Sequence, residues 1–389
     1  MIKINKKSEC CGCGACMQIC PQKCIKLCAD EEGFYYPKIS LLKCIDCNLC
    51  KNVCPIINKT ANVSNVLEAY VAYIKDRNIR ENSSSGGIFA MIAQKVLNDG
   101  GIVFGATFDT DWSVKHIGIT KGTELEKLCG SKYLQSRTEN CYSAAELALE
   151  SGKTVFYTGT ACQISGLKKY LRKDYVNLIT ADILCHGVPS PKVWEKYLSY
   201  QEKIYNAKVS AVSFRKKNYG WKSFSTEILF DNQKKYEKIY SEDPYMKLFL
   251  KNICLRPSCY KCKFKDLDRE SDISLGDCWG IEEYMPDMDD DMGTSVILVH
   301  SELGKKLLQE CQEKMIFRKA DVDLVLPPSA DSRKSVRVHK NRRRFFTCLR
   351  EGKDMQSLIK LIEDTYINKI ILRAKHEIKM LLIKCGIIH

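Results

Sequence analysis

The feature that most constrains the fold is a cysteine pattern that occurs twice near the N-terminus. The pattern is C-x2-C-x2-C-x3-C followed by proline, and it fills residues 10–21 and again residues 44–55. A disulfide requires a specific separation and angle between its two cysteines, so thiols this dense cannot all pair without strain. The pattern therefore favours metal ligation. Its eight members are Cys10, Cys13, Cys16, Cys20, Cys44, Cys47, Cys50 and Cys54.

This spacing is the one by which bacterial proteins hold two [4Fe–4S] clusters. The first three cysteines of a run surround one cluster, and the fourth points to the other cluster. Small residues between them (Gly12, Gly14, Ala15) let the backbone approach. We therefore predict one cluster on Cys10, Cys13, Cys16 and Cys54, and a second on Cys44, Cys47, Cys50 and Cys20.

The alternative to clusters is zinc. Zinc sites use two C-x2-C pairs with a longer gap between them, and they need four ligands in total. Two complete runs with trailing prolines fit the cluster interpretation better. Three cysteines fall outside the pattern and are expected to pack near the clusters as bystanders, namely Cys11, Cys24 and Cys28.

Composition and length bound the rest of the chain. Its 389 residues allow two or three domains, and 11 of the 22 cysteines lie within the first 54 residues. We find no apolar run of transmembrane length and no signal-peptide core, so we expect a cytoplasmic protein without a transmembrane segment. In that reducing compartment dense cysteines act as metal ligands or redox groups.

The net charge is +14, and much of the excess lies late, for example in residues 333–346. Neither zinc-finger spacing nor an aromatic-rich RNA-binding signature accompanies it, so we expect no nucleic-acid partner. An acidic protein or an anionic cofactor suits the charge better. An amphipathic stretch at residues 356–385 is expected to dock on the body, on a partner or on a membrane surface as a peripheral contact.

The chain after the cysteine module alternates strand-like and helix-like segments, which predicts an α/β body behind an α+β ferredoxin-like module. One helix is predicted to follow N-cap residues at 82–85 and to end at Gly100, and another begins near Cys162 after a strand at 154–157. We place the domain boundaries at residues 1–60, 66–150, 151–330 and a basic helical tail at 331–389.

Two further signals lie in the body. Cys259 and Cys262 have C-x2-C spacing without a second pair nearby, so their partners must come from elsewhere, and the candidates are Cys162, Cys185, Cys254 and Cys278. The small-residue turn at 158–161 opens a helix, whose free N–H groups suit a phosphate or the edge of a flavin. The acidic stretch 287–291 is expected to face solvent.

Five segments in order resemble the beta subunit of coenzyme F420-reducing hydrogenase and F420-dependent dehydrogenase, and more closely bacterial relatives with a fused N-terminal ferredoxin module. The segments are SSSGGIFAMIA, GTACQISGLKKYL, LCHGVPSP, LRPSCYKCKFK and SDISLGDCWGI. The resemblance spans residues 1–330. It is shared with the body of chlorophyll-pathway reductases.

The resemblance implies FAD and a third [4Fe–4S] cluster in the body. Its ligands carry over to Cys162, Cys185, Cys259 and Cys262, with Cys254 and Cys278 less secure. The flavin is then expected against two turns, one formed by Ser84, Ser85, Gly86 and Gly87 and the other by Thr158, Gly159 and Thr160. Lys132 is a candidate for stabilising negative charge on the flavin, and the alternative is an ordinary solvated lysine.

These expectations combine into an iron–sulfur flavoprotein enzyme, an oxidoreductase that passes electrons between a ferredoxin-like carrier or partner redox subunit and a flavin. Hydride would then move to or from a small-molecule substrate or a deazaflavin-type coenzyme. Two alternatives stay open. One is an electron-transfer subunit without its own substrate site, and the other is a redox enzyme of cell-surface polysaccharide biosynthesis.

Overall fold

A computed structural model of the chain describes residues 1–59 and 66–363. The predicted amphipathic stretch at 356–385 lies mostly outside these residues, which include only its first turns. Among the residues that the structure describes, no helix combines the length and the apolar character that crossing a membrane requires.

The strands form three sheets. In chain order they are β1 (Ile25–Ala29), β2 (Tyr35–Ile39), β3 (Glu68–Ile74), β4 (Ile102–Phe108), β5 (Val114–Ile119), β6 (Ser136–Arg137), β7 (Val155–Thr160), β8 (Leu178–Ile183), β9 (Val209–Lys216), β10 (Ser225–Phe230), β11 (Lys235–Ile239), β12 (Ile273–Asp277), β13 (Ser295–Val299) and β14 (Met315–Lys319).

The α-helices lie mostly between strands. They are α1 (Ala15–Gln18), α2 (Leu49–Asn52), α3 (Arg77–Glu81), α4 (Ile88–Asn98), α5 (Cys141–Glu150), α6 (Ala161–Leu171), α7 (Pro191–Tyr205), α8 (Pro244–Leu250), α9 (Ile281–Tyr284), α10 (Glu302–Cys311), α11 (Val322–Val325), α12 (Arg342–Arg350) and α13 (Met355–Lys360).

A nine-stranded mixed sheet forms the centre of the body, in the order β14-β3-β13-β12-β8-β7-β4-β5-β6. Its middle strands β12, β8, β7 and β4 run parallel, and antiparallel strands flank them on both sides. Successive residues face opposite ways. On β7, Phe156 packs under α4 and α10, while Val155 and Tyr157 pack under α5 and α6. The predicted α/β body is confirmed.

A second layer of structure covers one end of this sheet. The three-stranded sheet β11-β10-β9 packs with α7, α8, α12 and α13 around a core rich in aromatic residues, which includes Trp194, Tyr245 and Phe214. The tip of the N-terminal hairpin contributes Phe34 to the same core, and its side chain is fully buried there.

The N-terminal region packs tightly on this body, and glycines permit the approach. A Cβ added at Gly166 in α6 would lie 2.8 Å from Cβ of Cys13 and 3.0 Å from its Sγ. A Cβ at Gly33 would lie 2.5 Å from Cβ of Lys192 in α7. Arg342 of α12 adds a two-bond ion pair to Glu32 in the hairpin, at 3.0 and 2.5 Å.

One expectation about local structure is wrong. Helix α4 begins at Ile88 behind Gly87, whose φ is 85°, so residues 82–85 form a turn and do not cap the helix. Their hydroxyl groups bind elsewhere, as in the Ser85 Oγ hydrogen bond to the Thr294 carbonyl.

The acidic stretch 287–291 faces solvent as expected, with Asp287, Asp290 and Asp291 exposed. Asp290 also accepts two hydrogen bonds from the buried Arg80 guanidinium.

We predict that Gly166→Ala destabilises the protein. In an open helix this change is stabilising by about 1 kcal/mol, but here the new methyl group would collide with Cys13. The expected result is a loss of about 1–3 kcal/mol, the range found for overpacking. Chemical unfolding followed by circular dichroism measures it, and proteolysis should cut residues 1–59 faster. A gain in stability would show that the close approach does not exist in solution.

We predict that His116 makes stability pH-dependent. Burial lowers the pKa of His116 to about 4, while its ring nitrogens lie 2.7 Å from Ser136 Oγ and 3.1 Å from the Thr158 carbonyl. The His116 ring therefore takes up a proton at a higher pH in the unfolded chain than in the folded one. As a result, the free energy of unfolding falls as the pH drops below 6.5. Between pH 7 and pH 5 the wild type should lose about 2 kcal/mol more than His116→Gln, measured by urea unfolding. An equal loss of stability in the wild type and in His116→Gln would show that His116 does not cause the pH dependence.

Candidate functional site

Each predicted N-terminal quartet lines a separate cavity. Cys10, Cys13, Cys16 and Cys54 line a small cavity together with Cys11, and we call it the proximal cavity. Cys20, Cys44, Cys47 and Cys50 line another together with Cys24, the distal cavity. In both, the fourth cysteine comes from the other run, as the sequence predicts. The role of these thiols as cluster ligands stays a prediction.

The two cavities are built by the same local backbone. Helices α1 and α2 begin at Ala15 and Leu49, and each is preceded by a residue in the left-handed conformation. The first repeat uses glycine there, at Gly12 (φ 77°) and Gly14 (φ 81°), and the second uses Asp46 (φ 49°) and Asn48 (φ 60°). Asn and Asp tolerate this conformation better than other residues with a side chain. Duplicated backbone geometry thus accompanies the duplicated cysteine spacing.

Each cavity includes the four thiols of one predicted quartet, and four is the number of thiolates that a cubane takes, one at each corner. Apolar side chains complete the lining, with Ile2 and Ile4 in the proximal wall.

The distal cavity lies near solvent and the proximal cavity lies against the body. Cys47 is exposed, and the neighbouring Leu41 and Leu42 have 68% and 101% of their surface accessible. Cys13 in the proximal cavity is buried and contacts α6 through Gly166. The proximal cavity is therefore the nearer of the two to the body.

The structure brings the four predicted body cysteines together. Cys162 lies in the first turn of α6, Cys185 follows β8, and Cys259 and Cys262 belong to a turn after Pro257. Burial raises the pKa of Cys185, and the Cys259, Cys162 and Cys262 thiols raise it further. Burial also raises the pKa of Cys259 to about 12, with Cys262 and Cys162 adding to the shift. A shared metal group would take these thiols as thiolates and release their protons.

The less secure candidates lie elsewhere. Cys278 Sγ is 2.9 Å from the Tyr284 hydroxyl in another apolar cluster, and Cys254 is fully buried in the aromatic core. Cys11, expected as a bystander, lines the proximal cavity, and its thiol interacts with both Cys13 and Cys162. The interaction with Cys13 and burial raise the pKa of Cys11, whereas the interaction with Cys162 lowers it. Cys11 therefore lies between the proximal cavity and the body cysteines.

The two predicted flavin turns lie on either side of the loop that carries Lys132. Ser84 Oγ accepts hydrogen bonds from Ser131 N and Ser131 Oγ at 2.8 and 2.9 Å. On the other side, Thr158 contacts His116, whose pKa is also lowered by the Lys132 charge. The second turn ends beside the body cysteines, where Thr160 Oγ1 lies 3.1 Å from Cys162 Sγ.

Lys132 is half-buried and differs from an ordinary solvated lysine. Its ammonium donates to the carbonyls of Cys129 and Lys127 at 2.7 and 3.1 Å. Burial lowers the pKa of Lys132 to about 8. The side chain is therefore a cation held in place by backbone oxygens, next to the Ser84 turn. Whether it acts on a flavin stays a prediction.

A group of residues that the sequence did not indicate completes this region. Arg215 forms a two-bond ion pair with Asp277 at the end of β12, at 2.8 and 3.1 Å, and it also donates to the Ser84 carbonyl at 2.9 Å. Its guanidinium lies 5.4 Å from the centre of the Trp279 ring. Trp279 stacks on the buried Trp221 at 4.6 Å and is itself 49% exposed. The only sequence signal was the segment SDISLGDCWGI.

Comparison with known proteins identifies a protein family and similar individual proteins. Residues 69–141 match the family described as "Coenzyme F420 hydrogenase/dehydrogenase, beta subunit N-term", and residues 152–324 match its C-terminal counterpart. The chain is 25% identical over 316 residues to a "Coenzyme F420-dependent sulfite reductase" of Methanocaldococcus jannaschii, which covers 78% of this chain and 46% of that protein. The chain thus spans about half the length of that relative.

A solved structure of the F420-reducing [NiFe] hydrogenase complex from Methanosarcina barkeri is also similar, with 17% identity and a TM-score of 0.46 over 76% of this chain and 91% of that one. The family matches are independent of that comparison, and they cover the segments that build the central sheet and its cysteine-bearing edge. The chain belongs to the coenzyme F420 hydrogenase/dehydrogenase beta subunit family.

Proposed function

We propose that this protein is an oxidoreductase that conducts electrons through three [4Fe–4S] clusters to a flavin. The clusters would exchange one electron at a time with an external carrier, and the flavin, FAD, would exchange a hydride with a small substrate or a deazaflavin-type coenzyme. The observation that carries the proposal is the succession of thiol groups from the exposed distal cavity, through the proximal cavity and Cys11, to the four body cysteines.

Contacts between neighbouring thiol groups support electron transfer from one group to the next. Cys11 interacts with Cys13 on one side and Cys162 on the other. Thr160 then connects Cys162 to the second predicted flavin turn, with 3.1 Å between its Oγ1 and Cys162 Sγ.

Gly86 and Gly87 let the first predicted flavin turn pack closely on the central sheet. A Cβ at Gly86 would lie 2.5 Å from the Ala72 carbonyl oxygen, and one at Gly87 would lie 2.8 Å from Ile74 Cδ1. Gly87 also adopts the left-handed conformation that precedes α4. Lys132 supplies a held cation on the loop between the turns. A reduced flavin ring carries negative charge, which this ammonium would stabilise. These residues support FAD here, and the family resemblance supplies the rest of the argument.

A second candidate function is electron transfer without a resident substrate site. The aligned region is less than half of the F420-dependent sulfite reductase relative, so a substrate site could belong to a partner protein. Binding of a deazaflavin coenzyme by the purified chain separates the two candidates. The reductase proposal expects hydride exchange in the purified chain alone, whereas the second candidate requires a partner subunit.

We predict about twelve irons and as many acid-labile sulfides per chain after anaerobic purification, since each cubane holds four of each. Changing Cys259 and Cys262 together to alanine should remove about four irons and leave both N-terminal clusters in place. The control is Cys254→Ala, which alters an equally buried thiol outside the body group. A double variant that keeps all its iron, or one that loses every cluster together, would refute separate sites.

We predict that an acidic iron–sulfur or flavin carrier docks at the distal rim, defined here as Leu41, Leu42, Lys43 and Ile45. Three of these side chains are exposed apolar groups beside cysteines of the distal cavity, and apolar anchors with a rim charge are typical of such contacts. Leu42→Asp should slow reduction by reduced ferredoxin about tenfold, equivalent to about 1.4 kcal/mol.

The matched control for this rim is Val176→Asp, because Val176 is equally exposed, at 97%, in the loop between α6 and β8. Stopped-flow reduction measures both variants at several salt concentrations. The rate in the wild type should fall as salt rises, since steering between opposite charges is screened. Equal rates in the two variants would place the docking surface elsewhere.

A further inference from the structure

Arg256 is a fully buried cation between the N-terminal module and the body. Its side chain has no exposed surface. It directly precedes the turn that begins at Pro257 and carries Cys259. On its other side it reaches the N-terminal module, where a Cβ added at Gly12 would lie 3.1 Å from the guanidinium carbon. The guanidinium therefore lies between the proximal cavity and the body cysteines.

Every hydrogen-bond partner of this guanidinium is formally neutral. Nε donates to the Cys10 carbonyl at 2.8 Å, and Nη2 donates to the Tyr35 carbonyl at 3.0 Å. Nη1 donates to Gln135 Oε1 at 3.1 Å, and Nη2 also lies 3.5 Å from Cys10 Sγ. The ring of Tyr36 lies 4.2 Å from the guanidinium carbon. In the part of the chain that the structure describes, no carboxylate pairs with Arg256.

Such an arrangement is unfavourable for an isolated cation. Buried charges are normally paired, because removal from water without a counter-charge is costly. Other buried arginines in this chain obey the rule, with Arg215 held by Asp277 and Arg80 held by Asp290. Arg256 differs from them in its surroundings. The groups whose negative form would interact with it are first the Cys10 thiol, then the Tyr36 phenol, and then the Cys11 and Cys259 thiols.

We propose that Arg256 is the counter-charge of the proximal iron–sulfur centre and raises its reduction potential. Potentials of such centres depend on nearby charge and on hydrogen bonds to the ligand sulfurs, and Arg256 supplies both at Cys10. One electron received from the external carrier by way of the distal cavity adds one negative charge beside this fixed cation. The cation stabilises the reduced state and makes the proximal centre the acceptor.

The inference rests on the proposed function, because it requires clusters in the N-terminal cavities. It adds a positioning and tuning residue from the body, 246 positions away from Cys10 in the sequence. It also explains why Gly12 has no side chain, since a Cβ there would lie 2.5 Å from Gln135 and crowd the guanidinium. Gln135 in turn orients the guanidinium through its amide oxygen.

The test is a redox titration of the anaerobically purified full-length chain, followed by electron paramagnetic resonance. Cys44→Ala with Cys47→Ala identifies the distal signal, and Cys259→Ala with Cys262→Ala identifies the body signal. Arg256→Gln should shift the midpoint potential of the proximal centre to a more negative value. The distal centre is the internal control, and its potential should stay unchanged.

Two further variants separate charge from packing. Arg256→Lys keeps the charge, so the proximal potential should stay closer to that of the wild type than in Arg256→Gln. Tyr36→Phe removes a buried hydroxyl that lacks a hydrogen-bond partner and leaves the cation in place, so it should not shift the potential. If Arg256→Gln loses about four irons and Arg256→Lys retains them, the counter-charge role is also supported.

Several outcomes would overturn the inference. An unchanged proximal potential in Arg256→Gln would do so, as would equal shifts in the Gln and Lys variants or a loss of iron from both. A shift of the distal potential as large as the proximal one would indicate general disruption. Iron-free wild-type protein would instead contradict the proposed function itself, so the two failures can be told apart.

Discussion

The close packing of the cysteine-rich N-terminal region on α6 and α7 is the contact on which the rest of the arrangement depends. It requires glycine on both sides, with Gly166 facing Cys13 and Gly33 facing Lys192. The small N-terminal sheet has only two strands, and an isolated hairpin is marginally stable in water. The module therefore derives its order from the body and from whatever fills its two cavities. The same contact brings Cys11 and Cys162 together.

Charge is distributed in this interface in an unusual way. Most buried cations in the chain have carboxylate partners, but the guanidinium between the module and the body faces carbonyls, an amide and a thiol. A site that must accept negative charge benefits from a cation that is not already neutralised, because fixed charge acts strongly where water is excluded. The loop between the two predicted flavin turns resembles this interface in part, because the Lys132 ammonium is held by the backbone carbonyls of Lys127 and Cys129.

Sequence analysis could predict the features that depend on spacing or local pattern. The two cavities, the crossed fourth cysteines and the alternating sheet follow from repeats and periodicity, and the family motifs pointed to the four body cysteines. The remaining features depend on contacts between distant segments. Arg256 lies in the segment LRPSCYKCKFK, but it bonds to groups 121 to 246 positions away, and no local pattern indicates those partners. The N-cap at 82–85 failed for the same reason, since Ser85 bonds to Thr294 across the fold.

The hairpin tip has a consequence for biosynthesis. Glu32 bonds to Arg342 and Glu31 bonds to Arg350, across 310 and 319 positions. The hairpin therefore lacks these two partners until α12 has been synthesised, about 310 residues after it. Contacts this distant form slowly, so the cysteines beside the hairpin lack this contact while the intervening residues are made. Insertion of iron and sulfide during synthesis would protect these cysteines. A truncation before α12 would remove both arginine partners of the hairpin, Arg342 and Arg350.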